Sequence, residues 1–334
     1  MTPTTYQDAG VNIDAGEETV RRISSAVKST YTSAVMNDIG AFGALFDARF
    51  TDFEHPVLVS SIDGVGTKLK VAVMAGRHDT VGQDLVNHCV DDILTTGAKP
   101  LFFLDYFSTG RLEPDVAEQI ITGFTVACKQ NGCSLIGGET AEMPGLYTPP
   151  DYDLAGAIVG VVEKSKILSP ESVSAGDVLI GLRSTGLHTN GYSLARKVLF
   201  DTYKVDSYIE ELGATVGDVL LAIHKSYYPS VHPLLGSGQV RAVSHITGGG
   251  IVGNTSRVLP DGLTLHIDWG SWDRPAIYSL IQKLGSVPEE DMRRTFNLGI
   301  GLILISDADE APNLIEALKS NGEEPVIMGE IRSA

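Results

Sequence analysis

Apolar residues along the chain fall into short runs whose spacing alternates between the helical and the extended period. Val20, Ile23 and Val27 recur at helical spacing, and Asp14 with Glu17 three residues on has the form of a capping box, so a first helix is expected to begin near Asp14. Pro56-Val57-Leu58-Val59-Ser60-Ser61-Ile62 is a β-rich run that reads as a strand. A helix over 80–96, a strand over 101–107, a helix over 115–129 and strands over 134–137 and 154–162 follow. This first half mixes both periods and reads as α/β or α+β. Lys164-Ser165-Lys166 and Ser169-Pro170-Glu171-Ser172 are polar punctuation between two well-formed strands and predict an inter-domain linker. The alternation restarts at Asp177–Leu182 with a strand. Beyond it the pattern predicts a helix after Asn190, a helix over 218–227, a strand over 240–246, a helix from Ile251, a strand over 263–267 and a helix over 276–284. Strands over 298–306 and 325–331 flank a last helix over 311–320. A chain of 334 residues is long for one hydrophobic core. Two domains are therefore expected, 1–168 and 169–334.

Composition narrows the partners. A net charge of −17 argues against general binding to nucleic acid or to an anionic membrane, both of which need a basic surface. The longest apolar stretches, around 155–162 and 298–305, are too short to cross a bilayer, and the first residues show neither a basic nor an apolar leader region, so no secretory signal is expected. Cys89, Cys128 and Cys133 have no zinc-ligand spacing and are odd in number, which fits reduced thiols in a cytoplasm. Anionic substrates of so acidic a chain must be caught by local devices: glycine nests, helix N-termini and a few placed cations.

The first such device is Asp63-Gly64-Val65-Gly66-Thr67-Lys68, directly after the 56–62 strand. Glycines let backbone N–H groups approach phosphate oxygens, Lys68 supplies charge, and Asp63 can take Mg²⁺. The order differs from a Walker A loop, so any nucleotide held here is held outside the P-loop fold. On a wheel of about 100° per residue, Asp92 falls between Val81 and Leu85, close to His88 and Cys89, on the face expected to be buried. Its options are a metal or polyphosphate role, or a buried salt bridge or cap. Asp91 falls with Asp84 and Asn87 on the polar side and reads as solvated. Asp105, on the strand face of Phe103 and Phe107, fits either a structural hydrogen bond or a site. Gly137-Gly138-Glu139-Thr140-Ala141-Glu142-Met143-Pro144-Gly145 places Glu139 and Thr140 at the mouth of a strand; taken alone, it reads as a loop with solvated carboxylates.

In the second half, Ser184-Thr185-Gly186-Leu187-His188-Thr189-Asn190-Gly191 leads from a strand into a helix, and His188 is the histidine best placed for acid–base work. Thr247-Gly248-Gly249-Gly250 is a second glycine nest, suited to a single phosphate. Arg293-Arg294 is a candidate clamp for phosphate or carboxylate. One polyphosphate-and-metal loop and one single-phosphate nest together point to an ATP-using enzyme acting on a phosphorylated small molecule across a domain cleft.

These motifs, with Phe102-Phe103-Leu104-Asp105-Tyr106, His188-Thr189-Asn190-Gly191-Tyr192-Ser193, Arg294-Thr295-Phe296-Asn297 and the early 6–16 segment, occur in the order found in the phosphoribosylformylglycinamidine cyclo-ligase (aminoimidazole ribonucleotide synthetase) family. The resemblance runs from about Tyr6 to Ile331. It implies a cytoplasmic homodimer of two-domain subunits whose first-domain sheets pair, binding neither nucleic acid nor membrane. The implied reaction is the ATP- and Mg²⁺-dependent closure of formylglycinamidine ribonucleotide to aminoimidazole ribonucleotide in purine synthesis, through an imino-phosphate, with release of ADP and phosphate. Carried over by position, Asp63, Gly64, Gly66, Thr67, Lys68, Asp105, Gly138, Glu139 and Thr140 would hold the nucleotide, with Asp63 and Asp92 on Mg²⁺. His188, Asn190, Thr247, Gly248, Gly249, Gly250 and Arg294 would hold the substrate. Asp63, Lys68 and His188 would carry catalysis, His188 moving a proton. The chain departs from the family at Lys28-Ser29-Thr30-Tyr31-Thr32, where many relatives are arginine-rich, and no nucleotide contact is assigned there. Sister activities of the same fold are selenophosphate synthesis, thiamine-phosphate kinase and hydrogenase maturation. Selenophosphate synthesis requires a reactive Cys or selenocysteine near the N-terminus, whereas the first cysteine here is Cys89. A non-catalytic nucleotide-binding regulator is the rival from another class, but it has no use for a second anion nest.

Overall fold

The computed structural model describes residues 5–334; the reading of a leader-free start at Met1–Thr4 lies outside them. In the first half, α1 (Ile13–Lys28), β1 (Pro56–Gly64), α2 (Leu69–Ala75), α3 (Val81–Leu94), β2 (Lys99–Thr109), α4 (Pro114–Asn131), β3 (Ser134–Glu142) and β4 (Tyr152–Glu163) follow one another. The strands lie in the order β1-β4-β2-β3, antiparallel except for the parallel pair β2–β3. The period of two sorts their side chains. Phe103, Phe107, Leu154 and Ile158 are buried on the helix-covered face, where Phe103 meets Phe124 of α4. The opposite face leaves Leu58 61% and Ile62 73% exposed, beside half-buried Leu104, Ala157 and Val159.

The second half runs β5 (Val178–Arg183), α5 (Tyr192–Phe200), β6 (Tyr208–Ile209), β7 (Ala214–Thr215), α6 (Val216–Leu220), α7 (Tyr228–Val231), β8 (Ala242–His245), α8 (Gly250–Thr255), β9 (Leu263–Ile267), α9 (Ala276–Gly285), α10 (Glu289–Thr295), β10 (Ile300–Ser306), α11 (Ala311–Ser320) and β11 (Val326–Ser333). Its main sheet is wholly antiparallel, ordered β8-β10-β5-β11-β9, and β6 with β7 forms a small hairpin. β10 is buried along its whole length. Leu302 and Leu304 face a cluster with Leu314 and Leu318 of α11, while Ile303 and Ile305 face one with Ile251 and Trp272. A third cluster crosses between the halves, joining Leu85 and Phe103 to Tyr192, Leu220 and Phe296. The architecture is α+β in two parts that share core. Among the described residues no helix is long and apolar enough to cross a membrane.

Three local expectations change. The N-cap of α1 is Asn12, not Asp14: its side-chain oxygen accepts from Ala15 N at 3.2 Å, while its own N–H is held by Glu142 at 2.6 Å. The 138–142 segment is strand, not loop, because β2 offers it a parallel ladder; glycine is required at 138, where a Cβ would lie 2.2 Å from Asp105 Oδ1. The 218–227 helix is cut short: α6 ends at Leu220, and helix resumes in α7 only at Tyr228. The chain between them gives its backbone to α3: His224 N donates to Asp84 (2.7 Å), His224 O accepts from Asn87 (2.7 Å), and Tyr227 N donates to Asp91 (2.9 Å).

Candidate active site at the domain junction

α3 is the element around which the junction is built. One face packs on the first sheet; the other, which the wheel reads as solvated, is covered by the second half of the chain. Asp84 and Asp91 have no exposed surface and Asn87 is 2% exposed. This corrects the reading of Asp91 as solvated: a wheel registers polarity but not a second domain. Burial pushes the Asp91 carboxyl well up, ahead of the opposing Tyr227 N–H.

Lys68 is enclosed as well. Its ammonium is sealed, bonded to Asp84 at 2.8 and 2.9 Å and to the carbonyls of Ala222 (2.7 Å) and His188 (3.3 Å). Burial pulls the Lys68 amine down and pushes the Asp84 carboxyl up, each opposed by its partner. Lys68 in this arrangement ties two domains together and reaches no open cavity. His188 is likewise enclosed, 1% exposed, with backbone φ at +59° and its ring stacked 4.0 Å from that of His224. Its Nε2 accepts from Thr185 N at 3.3 Å, and burial holds its pKa well below the usual histidine range. In this arrangement the His188 imidazole is neutral and enclosed.

Between Lys68 and the solvent lies a ring of polar side chains contributed by both halves. His245 Nδ1 donates to Asp92 Oδ1 (2.9 Å), so its Nε2 accepts from His224 Nε2 (3.1 Å). His224 Nδ1 then accepts from the Thr189 hydroxyl (3.4 Å), whose oxygen accepts from His88 Nδ1 (2.7 Å). His88 Nε2 donates to Asp63 Oδ2 (2.8 Å). Both ring nitrogens of His88 therefore donate, and His88 is the imidazolium of the set. The electrostatics agree. For His88, burial opposes the charge but Asp63 and Asp92 outweigh it and the pKa rises; for Asp63 and Asp92, burial is outweighed by the facing histidines and the pKa falls. Burial lowers His224 and His245, keeping them neutral.

Asp92 and His245 open onto a cleft of about 360 Å³ lined also by Ser60, Ser61, Thr247, Asn254 and Arg257. The cleft brings the candidate metal carboxylate to Thr247, which opens the second glycine nest, and to Asn254 beneath it. Gly249 (φ +102°) and Gly250 (φ +67°) use the left-handed backbone that glycine favours, and a Cβ on Gly250 would lie 1.8 Å from Arg293 O. The Asn254 amide donates to the carbonyls of Thr247, Gly248 and Gly250, holding the nest from beneath. Asn190 abuts Gly248, and its buried Nδ2 has no partner. Arg294 is mostly exposed on α10, whereas Arg293 stacks 4.1 Å over Trp269 and bonds Glu289. On the first-domain side, Asp63 Oδ1 accepts from Gly64 N (2.6 Å) and Thr67 meets Ser193 at 3.1 Å; Gly66 has φ +69°.

The remaining candidates line a different cavity, about 720 Å³, between α1, the 38–44 segment and the β2–β3 edge. Asp105, Gly138, Glu139 and Thr140 all border it, and burial, opposed by a backbone hydrogen bond, pushes the Asp105 carboxyl up to about 7. The glycine-bearing stretch Gly40-Ala41-Phe42-Gly43-Ala44 forms one wall. That wall is missed by the sequence reading although two glycines flanking an aromatic residue are a usable signal. The ring residues His88, His224 and His245 are missed too. The available hints are His88 one helical turn before Asp92, and His245 two residues before the nest.

The chain matches the model of the AIR synthase related protein, N-terminal domain, over residues 46–162 and that of the C-terminal domain over 174–334. A phosphoribosylformylglycinamidine cyclo-ligase of Thermoanaerobacter pseudethanolicus is 49% identical over 328 residues, covering 98% of this chain and 97% of the relative. One of Sorangium cellulosum is 51% identical over 333 residues, covering 98% and 95%. Among solved structures, thiamine-monophosphate kinase from Stenotrophomonas maltophilia superposes with a TM-score of 0.72 at 17% identity, covering 94% of each chain. E. coli HypE superposes at 0.69 and 16%, covering 97% of this chain and 92% of that one. The structural likenesses give the fold, and the near-full-length identities give the branch: the chain belongs to the AIR synthase family and, within it, to the phosphoribosylformylglycinamidine cyclo-ligases.

Proposed function

We propose that this chain closes formylglycinamidine ribonucleotide to aminoimidazole ribonucleotide with ATP, acting as a cytoplasmic homodimer whose two-domain subunits divide near residue 168. The observation that carries the reading is the cleft in which Asp92 faces Thr247, the first residue of the glycine nest, and Asn254, the residue beneath that nest, across the junction. A substrate with a 5′-phosphate at one end and a reacting formyl group at the other needs both features on one cleft. The N–H groups of the nest, steadied by Asn254, bind the phosphate, and the unpartnered Asn190 amide turns toward the same ligand. Gripping both ends makes the ring closure intramolecular, where orientation supplies several kcal/mol.

Asp63 and Asp92 fit a magnesium ion: two carboxylate oxygens flank His88 Nε2 at 2.8 and 3.9 Å, and Asp63 keeps 43% of its side chain exposed. When bound there, Mg²⁺ would offset charge on the phosphoryl group being transferred. Gly64 and Gly66 leave room for phosphate oxygens beside it, and the 720 Å³ cavity with Asp105, Gly138, Glu139 and Thr140 suits the remainder of the nucleotide. ATP phosphorylates the formyl oxygen, turning a poor leaving group into phosphate; the amidine nitrogen attacks that carbon and phosphate departs. Lys68 and His188 act from behind as junction struts. The homodimer reading is supported by the uncovered apolar face of Leu58, Ile62, Leu104 and Val159.

Incubation of the protein with ATP, Mg²⁺ and formylglycinamidine ribonucleotide tests the assignment. Aminoimidazole ribonucleotide, ADP and phosphate in equal amounts are expected. A phosphorylated but unclosed product, or ADP release independent of the substrate, would assign the chain to another activity of the fold.

A further inference from the structure

The junction ring holds more nitrogen than a magnesium site calls for. His88, Asp92 and His245 each bring one ligand atom to within 4.8 Å of the other two. His88 stands one turn before Asp92 on α3, and His245 ends β8 in the other domain, so the group exists only when the domains are docked. Each ligand is oriented from its far side. His88 Nδ1 is fixed by Thr189 (2.7 Å), His245 Nε2 by His224 (3.1 Å), and Asp92 Oδ2 by the Ser61 hydroxyl (2.8 Å). An ion held there releases the His88 Nε2 proton and moves the His245 proton from Nδ1 to Nε2, turning the His245–His224–Thr189 hydrogen bonds around. His88 Nε2, His245 Nδ1 and Asp92 Oδ1 then face a common partner, with Asp63 Oδ2 2.8 Å from His88 Nε2 at the mouth. A tetrahedral ion with bonds of about 2.0 Å sets its ligand atoms roughly 3.3 Å apart, so shifts of at most about 1.5 Å from separations within 4.8 Å would accommodate one.

We propose that His88, Asp92 and His245, with Asp63 at the open side, form a site for a divalent first-row transition ion, of the Mn²⁺ to Zn²⁺ series, which bridges the two domains. Imidazole with carboxylate is the donor set those ions take, whereas Mg²⁺ keeps its water and selects oxygen. Hydrogen bonds to the far nitrogen of each histidine are the means by which metal sites fix their ligands. The site shares Asp63 and Asp92 with the proposed magnesium pair, but it is a property of the resting protein and is independent of nucleotide and substrate.

Titrating the full-length resting protein with Co²⁺ alone tests it, by calorimetry and by the visible d–d bands of the bound ion, in excess Mg²⁺. One equivalent is expected to bind, with bands of the intensity that four- or five-coordinate Co²⁺ gives, and Zn²⁺ is expected to displace it. His88→Asn and His245→Asn, each checked for native circular dichroism, should abolish binding, and His224→Gln should weaken it about 10–100-fold as the loss of an outer partner. Absence of binding by the folded wild type would overturn the proposal. So would binding that survives His88→Asn but vanishes in His224→Gln, which would move the ion to the sealed Asp91–His224–His245 group.

Discussion

Replacing Lys68 by Met separates a strut from a phosphate-gripping cation. Met nearly matches the lysine stem, so packing is retained, but the Asp84 carboxylate loses contacts at 2.8 and 2.9 Å and keeps the His224 N–H at 2.7 Å. Breaking a buried ion pair by removing one partner costs about 3–5 kcal/mol. Asp84 can limit the loss by taking a proton; from its ordinary 3.8 that costs about 4 kcal/mol at pH 7, which sets a ceiling. A loss of about 3–4 kcal/mol, at about 2–4 °C per kcal/mol for domains of this size, lowers Tm by on the order of 10 °C. Lys68→Met with Asp84→Asn should recover at least half, because the amide still accepts from His224 and no charge is buried. Urea unfolding and thermal scans read stability, and nucleotide titration at 20 °C below the variant's Tm reads binding. An unchanged Tm with tenfold weaker ATP binding would refute the strut and restore Lys68 to the phosphates.

Other consequences are as direct. Gly249→Val forces a β-branched residue into φ +102° on the exposed lip of the nest, a strain of about 1–3 kcal/mol that should lower Tm by several degrees; assayed well below that Tm, KM for the phosphorylated substrate should rise at least tenfold, and an unaltered KM would remove the nest from the substrate site. Ile62→Asp puts a charge on the open sheet face and should convert a dimer to a monomer in sedimentation; a protein that sediments identically before and after places the dimer contact elsewhere. Glu289 bonds Arg274, Arg293 and Gln282, and those hydrogen bonds, against slight burial, bring its pKa down to about 2 from 4.5. Its folded pKa lies below the unfolded one, so its stabilisation is complete above about 4.5 and fades as pH falls toward 2. Tm should therefore drop more steeply between pH 5 and 3 in the wild type than in Glu289→Gln, and parallel curves would contradict it.

Much of the fold is legible because periodicity depends on near neighbours. The 263–267 strand and the 311–320 helix stand where the pattern predicts them. What the pattern misses is set by the other domain. Asp91 and Asp84 look solvated on a wheel, yet the 221–227 segment spends its backbone on them and ceases to be helix in doing so. Asp92 and the 247–250 nest are legible as chemistry because a carboxylate on an apolar stripe and three consecutive glycines each demand an explanation. Lys68 and His188 mislead for a matching reason: their loop motifs promise exposure, and only the docked domains show that both are enclosed. The histidine ring has no signature as a set, since its members lie at positions 88, 224 and 245 and meet only in the folded chain; the hints beside Asp92 and the nest concern single residues.

The central claim is that ATP makes the formyl oxygen a leaving group within a cleft that grips the substrate at both ends. Substrate carrying ¹⁸O in the formyl group, turned over with unlabelled ATP, tests this directly through the mass of the released phosphate. The account predicts one ¹⁸O in each phosphate; label appearing in water, with phosphate unlabelled, would contradict it.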